Sequence, residues 1–261
     1  MGAELRVTVW QHASSLDPAE NRAALERLAE GGDLGEDADL VVLPEAFARD
    51  FGEPGSDLAP YAEPLDGPFV TAVRSLAARR RTAVLAGMFE TAEDPARPYN
   101  TLVLADGDRL TTYRKIHLYD SFGNRETDLV TPGPLTPVLT EVGGLRTGLM
   151  TCYDLRFPEL ARALSAEGAE VLVLPAAWVA GPRKVEQWRT LVQARAIENI
   201  AWVVAAAQPG PRYTGHSMVV APTGDVVAEA GEGDEVLHAT LTLDAVREAR
   251  ERNPSLSNRR F

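Results

Sequence analysis

Leu145-Arg146-Thr147-Gly148-Leu149-Met150-Thr151-Cys152-Tyr153-Asp154-Leu155-Arg156-Phe157-Pro158-Glu159 is the stretch that organises the reading of this chain. The apolar run over 145–150 reads as a strand. Residues 158–168 read as a helix: Leu160, Ala163 and Leu164 share a face, Pro158 fits the first turn and Gly168 the end. Between them stands Cys152, the only cysteine in 261 residues. A strand, a sharp turn and a helix would hold its side chain rigidly at the lip of a sheet, as a nucleophile elbow does. One cysteine excludes an intramolecular disulfide and a multi-cysteine zinc site. A cysteine beside an apolar run is more often a small core residue than a catalyst. The case for chemistry therefore rests on its partners.

Two other segments offer them. In Leu40-Val41-Val42-Leu43-Pro44-Glu45-Ala46-Phe47, aliphatic residues form a buried strand, the proline stops it, and Glu45 follows at the strand end. In Tyr113-Arg114-Lys115-Ile116-His117-Leu118-Tyr119-Asp120, Lys115 follows a strand over 110–113. Each has a bland alternative, a solvated loop glutamate and a surface lysine.

Bulk properties describe a folded chain. Hydrophobic residues make up 45% and charged residues 25%, normal for a globular protein. The length suits a single domain over 1–261, and no repeat, low-complexity tract or composition break divides it. The net charge of −12 leaves no basic face for nucleic acid. The run Arg79-Arg80-Arg81 reads as a helix terminus that complements the dipole. The longest apolar stretches, 171–180 and 200–207, are too short to span a bilayer. No targeting segment is visible, since residues 5–9 already alternate as a strand; with a free thiol, this points to the cytoplasm. His12, His117, His216 and His238 lack ligand spacing, so no metal is expected.

Elements alternate along the chain. Strands are expected over 5–11, 39–43, 83–89, 101–105, 110–113, 146–151, 170–174, 201–206 and 236–243, with a hairpin over 218–228. Helices are expected over 18–29, 68–80, 158–168, 185–199 and 244–252, the first capped by Asp17 and ended by Gly31-Gly32. That pattern supports a layered α/β domain.

Taken together, the segments around Glu45, Lys115 and Cys152 resemble the nitrilase superfamily of carbon-nitrogen hydrolases, matching its Glu-Lys-Cys triad in identity, order and flanking sequence. Glu126 in Arg125-Glu126-Thr127-Asp128 matches the family's second glutamate, and Trp178, Arg195-Ala196-Ile197-Glu198-Asn199 and Gly215-His216-Ser217 match further motifs. The resemblance implies a four-layer α-β-β-α sandwich, an amidase that needs no cofactor, and a homodimer or higher homo-oligomer. It implies Glu45 as general base, Cys152 as nucleophile, and Lys115 with the Tyr153 backbone N–H as oxyanion donors. Glu126 would position the amide or relay a proton, or else hold Lys115. His117 and His216 would be structural hydrogen-bonding residues near the site.

Within the family, nitrilases proper carry Trp-Glu after the cysteine, where this chain has Tyr153-Asp154, and carbamoylases carry two arginines where it has Leu155-Arg156. The run from Cys152 to Leu160 looks most like omega-amidases and deaminated glutathione amidases, which implies a small linear amide bearing a carboxylate. Tyr153, Arg156 and Trp178 are the expected substrate-binding residues; Arg156 would grip the carboxylate or brace the turn through Asp154 or Glu159. The alternatives are a nitrilase, an N-carbamoyl amino acid hydrolase or a non-catalytic binding protein. The tail over 253–261 would cross a subunit interface or else hang free.

Overall fold

The computed structural model describes residues 2–31, 34 and 38–260. The first half of the chain runs β1 (Glu4–Gln11), α1 (Pro18–Glu30), β2 (Leu40–Val42), α2 (Pro68–Arg80), β3 (Ala83–Glu90), β4 (Tyr99–Asp106) and β5 (Arg109–Arg114). The second runs β6 (Leu139–Val142), β7 (Leu145–Leu149), α3 (Pro158–Ala166), β8 (Val171–Ala176), α4 (Lys184–Asn199), β9 (Trp202–Ala207), β10 (Met218–Val220), β11 (Val226–Glu229), β12 (Glu235–Thr242) and α5 (Leu243–Arg252).

These strands form two six-stranded mixed sheets, ordered β12-β1-β2-β3-β4-β5 and β11-β10-β9-β8-β7-β6. At the heart of each lie parallel strands joined by helices, β1-α1-β2-α2-β3 in one and β7-α3-β8-α4-β9 in the other. Such crossovers place helices against a sheet face. Strand periodicity then sorts the side chains. Leu40, Val42, Leu85 and Leu102 join the core shared with the second sheet, while Val41, Val84 and Val103 pack with Leu25 and Leu28 of α1 and Phe69, Val73 and Leu76 of α2. Leu160 and Leu164 of α3 and Val192 of α4 pack against the second sheet. The layers are helices, sheet, sheet and helices, the expected α-β-β-α sandwich.

Local devices follow the sequence. Asp17 caps α1 by accepting from Ala19 N at 2.8 Å, and Gly31 closes it with φ 137°; the expected partner Gly32 lies outside the described residues. The arginine run ends α2, with Arg81 in the left-handed region at φ 52°. Two features depart from expectation. The short strand β6 was not anticipated; it pairs antiparallel to β7 at the sheet edge. The corner after β7 is a 3-10 turn, Cys152–Arg156; α3 begins at Pro158 as expected but ends at Ala166, two residues early. Among the described residues no helix is long and apolar enough to cross a membrane. Glu45 follows the carboxyl end of β2, Cys152 that of β7 and Ala177 that of β8, and all three line one cavity, at the end of an α/β sheet where ligands bind.

Candidate active site

Glu45 arrives from the carboxyl end of β2. Beyond Pro44 the backbone kinks, Ala46 taking φ 53°, and passes so close to β3 that a Cβ on Gly87 would lie 2.5 Å from Ala46 N. Only glycine permits that approach. Gln208 Nε2 donates to Glu45 O at 2.9 Å and pins the loop from the second sheet. The carboxylate is 1% exposed and well supplied with donors. Its Oε1 accepts from Lys115 Nζ at 2.9 Å and Asn100 Nδ2 at 2.8 Å, and its Oε2 from Ala177 N at 2.7 Å.

Lys115 leaves β5 with its main chain held on both sides: its N–H donates to Asn100 O and its carbonyl accepts from Gly133 N, each at 2.8 Å. The side chain is buried, and Nζ also reaches Glu126, at 2.9 Å from Oε2 and 3.2 Å from Oε1. Glu126 opens a 3-10 turn (Glu126–Asp128) and accepts from Tyr119 N at 2.6 Å and Asn100 Nδ2 at 3.1 Å. Burial opposes the Lys115 charge, but the Glu126 and Glu45 carboxylates outweigh it and hold the ammonium well above the usual lysine range.

Cys152 follows Thr151 at the end of β7 with φ 44°, a conformation that costs a non-glycine residue about 1–3 kcal/mol. The price is met by Asp154, fully buried two residues on. Its Oδ2 accepts from Thr151 N at 2.8 Å and Tyr113 OH at 2.6 Å; its Oδ1 accepts from His117 N at 3.1 Å and lies 2.7 Å from His117 Nδ1. The His117 ring stacks on Phe157 with centroids 3.8 Å apart. This network clamps the turn. Burial pushes the Cys152 thiol well up, Glu45's charge adds to that, and Lys115 opposes it.

Glu45, Lys115, Glu126 and Cys152 all line one cavity of about 380 Å³, whose other walls include Phe51, Leu58, Leu129, Val179 and Tyr213. A narrow side pocket opens beside the same thiol between Tyr119, Tyr153, Arg156, Trp178 and Lys184. All seven site residues expected from sequence therefore meet around Cys152. Tyr153 OH pairs with Ser121 Oγ at 2.8 Å. Arg156 does not brace the turn through Asp154 or Glu159; it donates to Gln187 Oε1 at 2.7 Å and lies over the Trp178 ring at 4.7 Å. His216 packs beside Glu229, 3.3 Å away, with Nδ1 3.1 Å from Ala230 O.

Three participants escaped the sequence reading. Asn100 donates to both Glu45 and Glu126; the signal was an amide at the head of an apolar strand. The Ala177 N–H left none, since a backbone donor has no residue type. Lys184 sat in Gly181-Pro182-Arg183-Lys184, which reads as loop.

The carbon-nitrogen hydrolase family model matches residues 6–251. A deaminated glutathione amidase of Escherichia coli O157:H7 is 42% identical over 228 residues, covering 86% of each chain. A 2-oxoglutaramate amidase of Paenarthrobacter nicotinovorans is 37% identical over 235 residues, covering 85% of this chain and 79% of its own. A solved structure of a carbon-nitrogen hydrolase superfamily protein from Xanthomonas campestris, with an arsenic adduct in its active site, superposes with a TM-score of 0.87 at 31% identity over 99% of this chain and 98% of its own. Two mixed sheets between helices, a buried Glu-Lys-Cys cluster at their shared end and a match over most of the sequence agree: this chain belongs to the carbon-nitrogen hydrolase family.

Proposed function

We propose that the protein is an amidase that hydrolyses the terminal amide of a small linear molecule carrying a carboxylate, through a thioester on Cys152 and with release of ammonia. One observation carries the reading: the Lys115 ammonium, held between Glu45 and Glu126, lines the same cavity as the Cys152 thiol. Two relatives named for amidases support the reaction class, and 2-oxoglutaramate is by its name the amide of an oxo acid.

The cycle balances with the amide and one water. Glu45 takes the thiol proton as sulfur bonds to the amide carbon, and the carbonyl π pair moves to oxygen. The Lys115 ammonium and the Tyr153 backbone N–H hold that oxyanion. Its collapse breaks the C–N bond, the nitrogen takes the proton from Glu45, and ammonia leaves the thioester. Water then gives a proton to Glu45 as its oxygen bonds to the acyl carbon. The C–S bond breaks, the sulfur recovers the proton, and the acid departs. Glu126 keeps Lys115 aligned, and its place in the cavity wall also lets it orient the amide nitrogen. Arg156, on the Trp178 face and beside Tyr153, binds the carboxylate end.

Ammonia release decides between reactions on this fold. Succinamate is expected to be turned over faster than 3-cyanopropanoate or N-carbamoyl-β-alanine; preference for the nitrile or the carbamoyl compound overturns the amide reading. Cys152→Ala is expected to abolish turnover with an unchanged circular dichroism spectrum. Mass spectrometry of the quenched wild-type reaction should show the substrate minus ammonia on Cys152. Normal turnover by the alanine variant would end the nucleophile assignment. Succinamate should also outperform its methyl ester, and Arg156→Gln should raise KM for the acid more than for the ester.

A further inference from the structure

Lys184 is placed where a lysine should be uncomfortable. It is 7% exposed, and it is the first residue of α4, the helix end where partial positive charge gathers. Arg156 stands across the side pocket and repels it. Among the described residues neither cation is paired with a carboxylate: Lys184 Nζ donates to Tyr119 OH at 3.2 Å and lies 3.9 Å from the Phe122 ring centre, while Arg156 donates to Gln187 Oε1. Arg156 Nε is buried with no hydrogen-bond partner among the described residues. The other cations around Cys152 contrast with this pair. Lys115 has Glu45 and Glu126; Arg212 has Asp50 at 3.0 Å.

A buried ammonium and a half-buried guanidinium with a spare donor, both lining the side pocket beside the nucleophile, describe a seat for an anion. We propose that Lys184 is a substrate-binding residue, the second cation of a clamp in which Arg156 and Lys184 together hold the carboxylate end of the substrate beside Cys152. The clamp rests on the amidase reading above. An arriving carboxylate accepts from the orphaned Arg156 Nε and from the Lys184 ammonium, and it offsets their repulsion. The amino end of α4 favours the same negative charge. Trp178 ties the parts together, its ring under Arg156 and its Nε1 donating to Lys184 O at 3.1 Å. Burial and the Arg156 charge lower the Lys184 pKa, opposed by Cys152. The titratable or charged groups facing it are Arg156, Cys152 and the Tyr119 phenol.

The test uses succinamate and its methyl ester with wild type, Lys184→Met, Lys184→Arg and Lys184→Met/Arg156→Gln. Lys184→Met is expected to raise KM for succinamate at least tenfold more than for the ester. Lys184→Arg, which keeps the charge, should recover most of that loss, as no packing effect would. The double variant should lose less than the product of the single losses, because one carboxylate is shared. The alkaline limb of kcat/KM for succinamate should move to higher pH in Lys184→Arg. Equal KM changes on acid and ester, or no recovery with arginine, overturn the clamp while wild-type preference for the acid leaves the amidase reading standing. If wild type shows no preference for the acid, the carboxylate reading itself fails, and the clamp with it.

Discussion

The Cys152 sulfur sits under opposing influences: burial and the Glu45 carboxylate keep its proton on, and Lys115 pulls it off. Removing each neighbour should move the thiol in a definite direction. Glu45→Gln deletes an anion, so the pH midpoint for iodoacetamide alkylation falls; Lys115→Met deletes a cation, so it rises. Turnover should drop in both, by on the order of 100-fold or more, and by much less than the product in the double variant because the residues act as one unit. A loss below about tenfold in either single variant contradicts its role. Glu45, Lys115 and Cys152 were legible in the sequence because each sits in a short motif at the end of an apolar run. Asn100 was not: its work depends on two carboxylates brought to 2.8 and 3.1 Å by separate loops, and no local pattern encodes that.

Strands and helices were legible to within a few residues, since burial on one or both faces writes a period into the sequence. Edge pieces were less so; β6 is four residues long and mostly half-exposed, too short for a pattern. The tightest junction between elements is Gly87 of β3 against the Glu45 loop. Gly87→Ala should cost about 1–3 kcal/mol of stability, since the contact is backbone and cannot swing aside. It should also lower kcat by displacing Glu45, which a chemical denaturation series and an ammonia assay would together reveal. Two phenols link distant elements. Tyr113 OH bonds Asp154, and Tyr213 OH bonds Asp50 at 2.7 Å; burial, then those carboxylates, raise both tyrosines above the ordinary value of about 10. The folded chain keeps these protons where the unfolded chain releases them, so stability is full below about pH 9 and falls as pH climbs past about 10. Lys115, also raised, acts in the same sense. Tyr113→Phe should lower the melting temperature at pH 7, by loss of a bond worth about 1–3 kcal/mol, yet flatten the alkaline decline.

The α/β class was legible from alternation alone, whereas the facing of two sheets came from the family resemblance, because no local period says what lies opposite a strand. The core between the sheets is continuous, running from Leu5, Val9 and Leu40 to Leu172, Leu174 and Val203. We propose that the chain unfolds as one domain: calorimetry should show a single transition, and two separated ones would count against this. We also propose at least a homodimer. Residues 253–260 lie outside the main core, exposed except for the half-buried Leu256, and Phe261 lies outside the described residues. Deleting 255–261 should weaken the assembly in light scattering; a stable full-length monomer at micromolar concentration contradicts it. The bond from Ala177 N to Glu45 Oε2 deserves a last thought. It joins the end of one sheet's strand to the end of the other's, so the reacting groups straddle a seam. A molecule covalently caught on Cys152 becomes a rivet through both plates. Such an adduct should raise the melting temperature and slow amide exchange in strands of both sheets at once, including β2 and β3, which never touch the sulfur's own strand by hydrogen bonds.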